Sequence, residues 1–327
     1  MTPLIPVVTN VLLWVTTMCL VAGVVIVGPR RLYALGDTLL PHLRESRREV
    51  AALLVVLAVS GVGRPALQSV SEVFGLRLTG TIYGLEGGFV AWLQTTFQSP
   101  ELTMYFSSVY VFGYAFLLVF PFVAYAALPR ATTLKRLVVA YTLNYAIGLV
   151  LYTVVLAYGP RNVMPDAVTS LLYTFNPHFQ TLTGEVNVET NVFPSLHTSL
   201  SVTVAAFAFL TREEYPGWVP VAWWIAFSVV VSTMYLGIHW LTDVFAGTAL
   251  ALGCVYLSYR YVDPTGDGGE SAVEPAAPEA TGGSDAEARA AGSGDGGGFA
   301  GATTARPPEG AASAPAHDLP RGPRGAP

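Results

Sequence analysis

The sequence predicts an all-α fold, a polytopic membrane helix bundle of about seven transmembrane helices. Three observations predict it. Hydrophobic residues make up 52% of the 327 residues and charged residues 12%, where a soluble domain carries about 25%. Seven apolar runs come close to the roughly 20 residues that cross a bilayer, at 5–28, 49–67, 103–127, 136–158, 195–211, 217–238 and 241–261. Polarity is pushed to one end: residues 263–327 hold ten acidic residues and four arginines, net −6, while residues 1–262 are net +1.

The first run has no basic residues ahead of it and no convincing small-residue cleavage site after it, so it reads as a retained helix. Gly61, Gly63 and Pro65 interrupt the second. Residues 68–102 form a segment between spans, and its Gly80–Leu93 portion mixes glycine, aromatic and aliphatic residues as a short interfacial helix would. The connection 159–194 is long and polar, with Asn176, Pro177, His178 and Gly184, the composition of a binding loop or lid. The last two runs are almost continuous, broken only at Gly237, His239 and Trp240. The tail 263–327 has little to bury and reads as a disordered, solvating segment. The organisation expected is therefore 1–99 (N-terminal helices and the intervening segment), 100–262 (catalytic membrane domain) and 263–327 (tail). Cys19 and Cys254 lie inside apolar runs and make neither a disulfide framework nor a metal-binding spacing.

Basic residues set the expected orientation. With seven crossings, Arg30, Arg31, Arg44, Arg47, Arg48, Arg130, Lys135, Arg136, Arg212 and Arg260 share one side, against Arg64, Arg77 and Arg161 on the other. The richer side is expected in the cytoplasm of a multi-pass cell-membrane protein, together with the tail. Arg161, His197 and His239 then share the external face.

Ionisable groups at membrane depth are costly and read as functional by default. His239 and Asp243 are four residues apart, so on a helix they lie one turn apart on one face, and the carboxylate orients the imidazole. Pro194 followed by Ser195 marks a helix start, and the first amides of that helix, at Leu196 onward, face an anion in front of it. His197, in the first turn, can protonate a leaving oxygen; His239 can act as base or nucleophile; Arg161 can hold phosphate oxygens with its planar fork. Together these groups suit phosphoryl transfer. The competing reading of each is structural: a histidine bonding between helices, a serine that only caps, an arginine anchored at the interface, a solvated loop histidine at His178.

Pro194-Ser195-Leu196-His197, followed by Ser232-x6-His239-x3-Asp243, resembles the second and third motifs of the type 2 phosphatidic acid phosphatase superfamily, and the resemblance covers roughly residues 100–262. It implies a family-like helical core in which His239 is a nucleophile forming a phosphohistidine and Asp243 orients it. It also implies that His197 protonates the leaving group, and that Ser195, Ser232, Arg161 and the Leu196 end of the helix hold phosphate. No cofactor or metal, and no nucleic-acid partner, is expected; the partners are a phosphorylated lipid substrate and the surrounding lipids.

The pattern departs from the family's at three places. Leu196 stands for glycine, Thr233 for arginine, and the Lys-x6-Arg-Pro motif is not intact: Arg161 is followed by Asn162, with Val154 seven residues before it. Leucine and threonine at those positions resemble the branch that includes inositol phosphorylceramide synthase, whose members pass a phosphoalcohol head group between lipids. Three functions are therefore open: a metal-independent lipid phosphatase or phosphotransferase, a head-group transferase, and a membrane protein that binds phospholipid without turnover. Arg77 is a possible replacement for a missing cation.

Overall fold

The computed structural model describes residues 4–175 and 192–262, apart from the side chains of residues 4, 5, 64, 65 and 175. Asn176, Pro177, His178 and Gly184 of the expected binding loop or lid, and the whole tail from 263 onward, lie outside them.

Helix α1 (Leu4–Ala22) continues through a π-helical turn, Gly23–Val27, and a left-handed Gly28 (φ +85°) turns the chain into α2 (Pro29–Glu45). Helix α2 bears Arg30, Arg31 and Arg44, and is tied down by an Arg31–Glu214 ion pair of 2.8 Å and by a bond from Thr38 Oγ1 to Ala126 O. Next come α3 (Arg47–Val62) and α4 (Arg64–Phe74). The expected second span is thus two helices bent by 71°, broken where Gly63 and Pro65 interrupt the run.

A two-residue strand, β1 (Leu76–Arg77), pairs in parallel with β2 (Val155–Leu156) and pins the segment between spans to the end of a later helix. That segment is two helices, α5 (Thr79–Glu86) and α6 (Phe89–Phe97), separated at Gly87, whose φ of +56° favours glycine. A long span follows. It comprises α7 (Pro100–Ser108), capped by the Ser99 hydroxyl, a π-helical turn at Val109–Gly113, and α8 (Tyr114–Ala126). Helix α9 (Thr132–Val154) returns, and after β2 come the short α10 (Pro160–Val163) and α11 (Leu171–Phe175). The final three helices are α12 (Leu196–Leu210), α13 (Trp218–Tyr235) and α14 (Leu241–Tyr261).

The fold is an all-α, multi-pass membrane architecture. Among the described residues five helices are long and apolar enough to cross a bilayer, six if the bent α3–α4 pair is one span. The fifth expected run is α12, which at 15 residues is shorter than a span; it packs against α9, α13 and α14 instead of facing lipid. Its sequence explains the burial. Thr198, Ser199, Ser201 and Thr203 are fully buried, and Ser199 and Thr203 meet Asn144 of α9, satisfying polar groups that lipid would leave unpaired. At the far end of α12 the core is aromatic: Phe116, Phe120, Tyr125, Phe207 and Trp218 cluster, with the Phe120 and Trp218 rings 4.7 Å apart. One end of α12 is thus closed by packing, and the other holds the polar groups.

Candidate active site

The α13–α14 junction is built around a tight turn. Ile238 and His239 both donate their amides to Thr233 O at 3.0 Å, and Gly237 adopts φ +74°. A Cβ at Gly237 would also meet Val168 Cγ1 at 2.7 Å, so only glycine fits on two counts. His239 therefore lies ahead of the helix, one residue before its cap, Trp240. The sequence expectation of a histidine and an aspartate one turn apart within a helix is corrected: the chain leaves helical geometry at Gly237. The pair forms all the same, because Asp243 reaches back as a capping residue. Its Oδ2 accepts from Trp240 N at 2.8 Å and lies 3.4 Å from His239 Nδ1. Both side chains are buried, and Asp243 Oδ1 has no partner among the described residues.

A second carboxylate completes this helix start. Glu86, at the end of α5, accepts from the amides of Leu241 (2.8 Å) and Thr242. The Trp240 ring is fully buried, donates from Nε1 to Tyr158 O at 2.8 Å and meets Tyr83 edge-on at 6.1 Å. The junction is thus held from α5 on one side and from the chain after α9 on the other.

Arg161 sits on the same turn. Its amide donates to Gly237 O at 3.1 Å, and Gly159 lies so close to Ile238 O that a side chain there would not fit. Its guanidinium stacks 4.8 Å over the Tyr173 ring and donates from Nη2 to the Tyr173 hydroxyl at 3.3 Å. Nη1 is buried without a hydrogen-bond partner among the described residues. A buried guanidinium nitrogen with nothing to donate to is costly, and an anion in front of it removes the cost. Gln94 of α6 braces this side: its amide donates to Thr169 O and Tyr235 O and accepts from Thr169 N, all within 3.0 Å.

The third component is the start of α12. Ser195 is buried; its amide donates to Asp243 O at 3.0 Å, and its Oγ caps the helix by accepting from Thr198 N at 3.3 Å. Gly247 of α14 lets the Ser195 carbonyl approach the helix backbone. Tyr152 donates to Pro194 O at 3.1 Å, and its hydroxyl also faces the Leu196 amide. The His197 ring lies between Tyr110, stacked at 4.6 Å and 22°, and Tyr114 at 4.5 Å, and its centroid is 6.3 Å from that of His239. Tyr110 lies within the π-helical turn and Tyr114 directly after it, a local irregularity that re-aims side chains.

His239, Asp243, His197, Ser195 and Arg161 thus converge. Two expected phosphate ligands behave differently. The Leu196 side chain is directed at α9, where a Cβ on Gly148 would come within 2.6 Å of it, so only its backbone is available to a ligand. The Ser232 hydroxyl donates to Val229 O at 2.6 Å within its own helix, as Thr233 does to Val230 O, which leaves it only as an acceptor. Arg77 is exposed, and its backbone is paired with Leu156, at the same end of the bundle as the site.

Glu86, Gln94, Tyr110 and Tyr114 are the positions that sequence reasoning missed. Glu86 had a readable signal, since it is the one acidic residue between Glu72 and Glu101 in an apolar, glycine-rich stretch. Among the described residues no group of three or more His, Cys, Asp or Glu side chains is placed to hold a metal ion.

A family model described as the PAP2 superfamily matches residues 84–257, more than half of the chain. The match starts within α5, just ahead of Glu86, and takes in every residue of the cluster. No curated protein and no solved structure matches the chain.

Proposed function

The chain belongs to the PAP2 superfamily, which makes it a lipid enzyme of the phosphatase or phosphotransferase type, and on that premise we propose that it acts on a lipid phosphate ester through a phosphohistidine on His239. The observation that carries the reading is the Asp243 carboxylate against His239 Nδ1. That contact favours the tautomer with the proton on Nδ1, which leaves a lone pair on Nε2. Nε2 attacks phosphorus, the bond from phosphorus to the alcohol oxygen breaks, and protonated His197 supplies the proton that leaves with the alcohol. A water or a lipid alcohol then attacks the phosphorus, returns a proton to His197 and frees His239. A centroid separation of 6.3 Å lets one phosphoryl group touch both rings. Arg161 Nη1 and the α12 amides hold the non-bridging oxygens; positioned charge of this kind is usually the largest catalytic term.

A second reading, head-group transfer between lipids, is favoured by Leu196 and Thr233, which occupy the positions of the family's glycine and arginine. It differs only in the acceptor. One experiment separates the two: purified protein in lipid, wild type beside His239→Ala, supplied with a phospholipid extract and lipid phosphates while free phosphate and new lipid species are followed. Free phosphate that vanishes in the variant identifies a hydrolase. A new head-grouped lipid without free phosphate identifies a transferase. Neither product from any lipid would sink both readings in favour of binding alone. We also propose that the site lies on the external face and the tail in the cytoplasm, because with seven crossings ten basic residues share the opposite side; a tag at residue 327 that is accessible on intact cells would reverse it.

A further inference from the structure

At the opposite end of the bundle a groove of about 520 Å³ runs between α3, α9 and α14. Its apolar lining is Ala52, Val139, Leu143 and Leu257; its polar lining includes Arg48, Glu49 and Arg260. Leu257 lies 14 residues beyond Asp243 on α14, about 21 Å along the helix at 1.5 Å per residue, so this is not the substrate site.

Three features distinguish the polar end of the groove. Arg48 and Arg260 make no ion pair or hydrogen bond among the described residues, whereas nearby Arg136 is engaged by Val262 O and the Tyr259 ring. Arg48 also stands in the first turn of α3, where the helix dipole disfavours a cation, and the α3 start has no side-chain cap. Most telling, the buried Glu49 Oε2 in the groove lining has no hydrogen-bond partner among the described residues, and neither do His42 Nδ1 and Ser46 Oγ nearby in sequence. Their spacing is four and then three residues, and although the helix breaks at Ser46 (φ −92°, ψ 16°), Ser46 N still donates to His42 O and Val50 N to Ser46 O at 2.9 Å each. His42 is 6% exposed and Ser46 fully buried, and buried polar groups are normally paired.

We propose that this groove binds one anionic phospholipid with a polyol head group, of the phosphatidylglycerol type. An acyl chain covers the apolar lining, the phosphate lies between Arg48 and Arg260, and head-group hydroxyls, which both donate and accept, meet Glu49. The two arginines less the one carboxylate balance a single phosphate charge. An ethanolamine head group would add a cation that the arginines do not need, and choline offers no donor to Glu49. Basic pockets between helices are a recurrent way of holding such head groups.

The test is native mass spectrometry and thermal unfolding of the full chain in detergent with phosphatidylglycerol, phosphatidylethanolamine or phosphatidylcholine. Phosphatidylglycerol should bind tightest and raise the unfolding temperature most. Arg48→Gln with Arg260→Gln should weaken it about thirtyfold, from roughly 1 kcal/mol per arginine. Glu49→Ala should narrow the preference for phosphatidylglycerol over phosphatidylcholine while leaving the double-arginine effect intact. Equal binding of the three lipids by the wild type overturns the proposal, as does phosphatidylglycerol binding that is unchanged in the arginine variants. The wild-type ranking decides even if a variant fails to fold.

Discussion

Helices α12 and α14 start side by side, joined by the bond from Ser195 N to Asp243 O, yet their positive ends are filled differently. At α14 two of the protein's own carboxylates take the amides: Asp243 accepts from Trp240, and Glu86 from Leu241 and Thr242. At α12 the partners are neutral, the Ser195 hydroxyl at Thr198 and the Tyr152 hydroxyl facing Leu196. A helix start closed by carboxylates has spent its attraction for anions; one met only by hydroxyls keeps it. The difference separates two jobs that one motif pair would otherwise share. Under the proposed mechanism, the α14 start orients His239 for attack and the α12 start is left to receive phosphate.

The largest effect should come from the orienting side. Asp243→Asn keeps an acceptor for Trp240 N but removes the charge that holds His239 with its proton on Nδ1, so kcat should fall roughly a thousandfold with thermal stability little changed. A loss of less than tenfold would mean that His239 does not depend on Asp243. The receiving side comes next. Arg161→Gln removes a buried charged donor worth about 1.5–3 kcal/mol, so kcat/KM should fall roughly 10- to 100-fold, read from initial rates on a lipid phosphate. An unchanged kcat/KM would leave Arg161 an interfacial anchor stacked on Tyr173. The rate should be bell-shaped in pH, because the reaction needs one imidazole neutral and another protonated. A flat profile from roughly pH 5 to 9 would remove both histidines from these roles.

The helices were legible because apolar runs of span length leave few alternatives, and the motif residues were legible because ionisable groups in such runs stand out. What did not show was how short segments fold onto the bundle. Glu86 and Gln94 lie on α5 and α6, far in sequence from the turn they brace, and no local pattern links Glu86 to Leu241 or Gln94 to Tyr235. The bend in the second run follows from Gly63 and Pro65, but its 71° is not readable from them. Tyr110 and Tyr114 looked like span residues, since a π-helical turn that brings them to His197 has no composition of its own. Leu196 was legible as a departure from glycine, but its contact with Gly148 of α9 depends on how closely two helices approach.

The smallest effects give the most direct test of the two helix starts. Ser195→Ala and Glu86→Gln each weaken one cap, and each should cost about 1 kcal/mol, roughly 2–4 °C in unfolding temperature. Their effects on anion binding should part. With Ser195→Ala, α12 loses its cap and the hydroxyl beside the phosphate, so inhibition by inorganic phosphate should weaken about tenfold. With Glu86→Gln, the side-chain oxygen still accepts from one α14 amide and no negative charge faces the helix, but phosphate inhibition should stay as in the wild type, because phosphate does not bind there. If Glu86→Gln instead tightens phosphate inhibition, the α14 start is an anion site that Glu86 holds shut. The division of labour between the two helices would then be a matter of competition for one phosphate, not of separate places in the site.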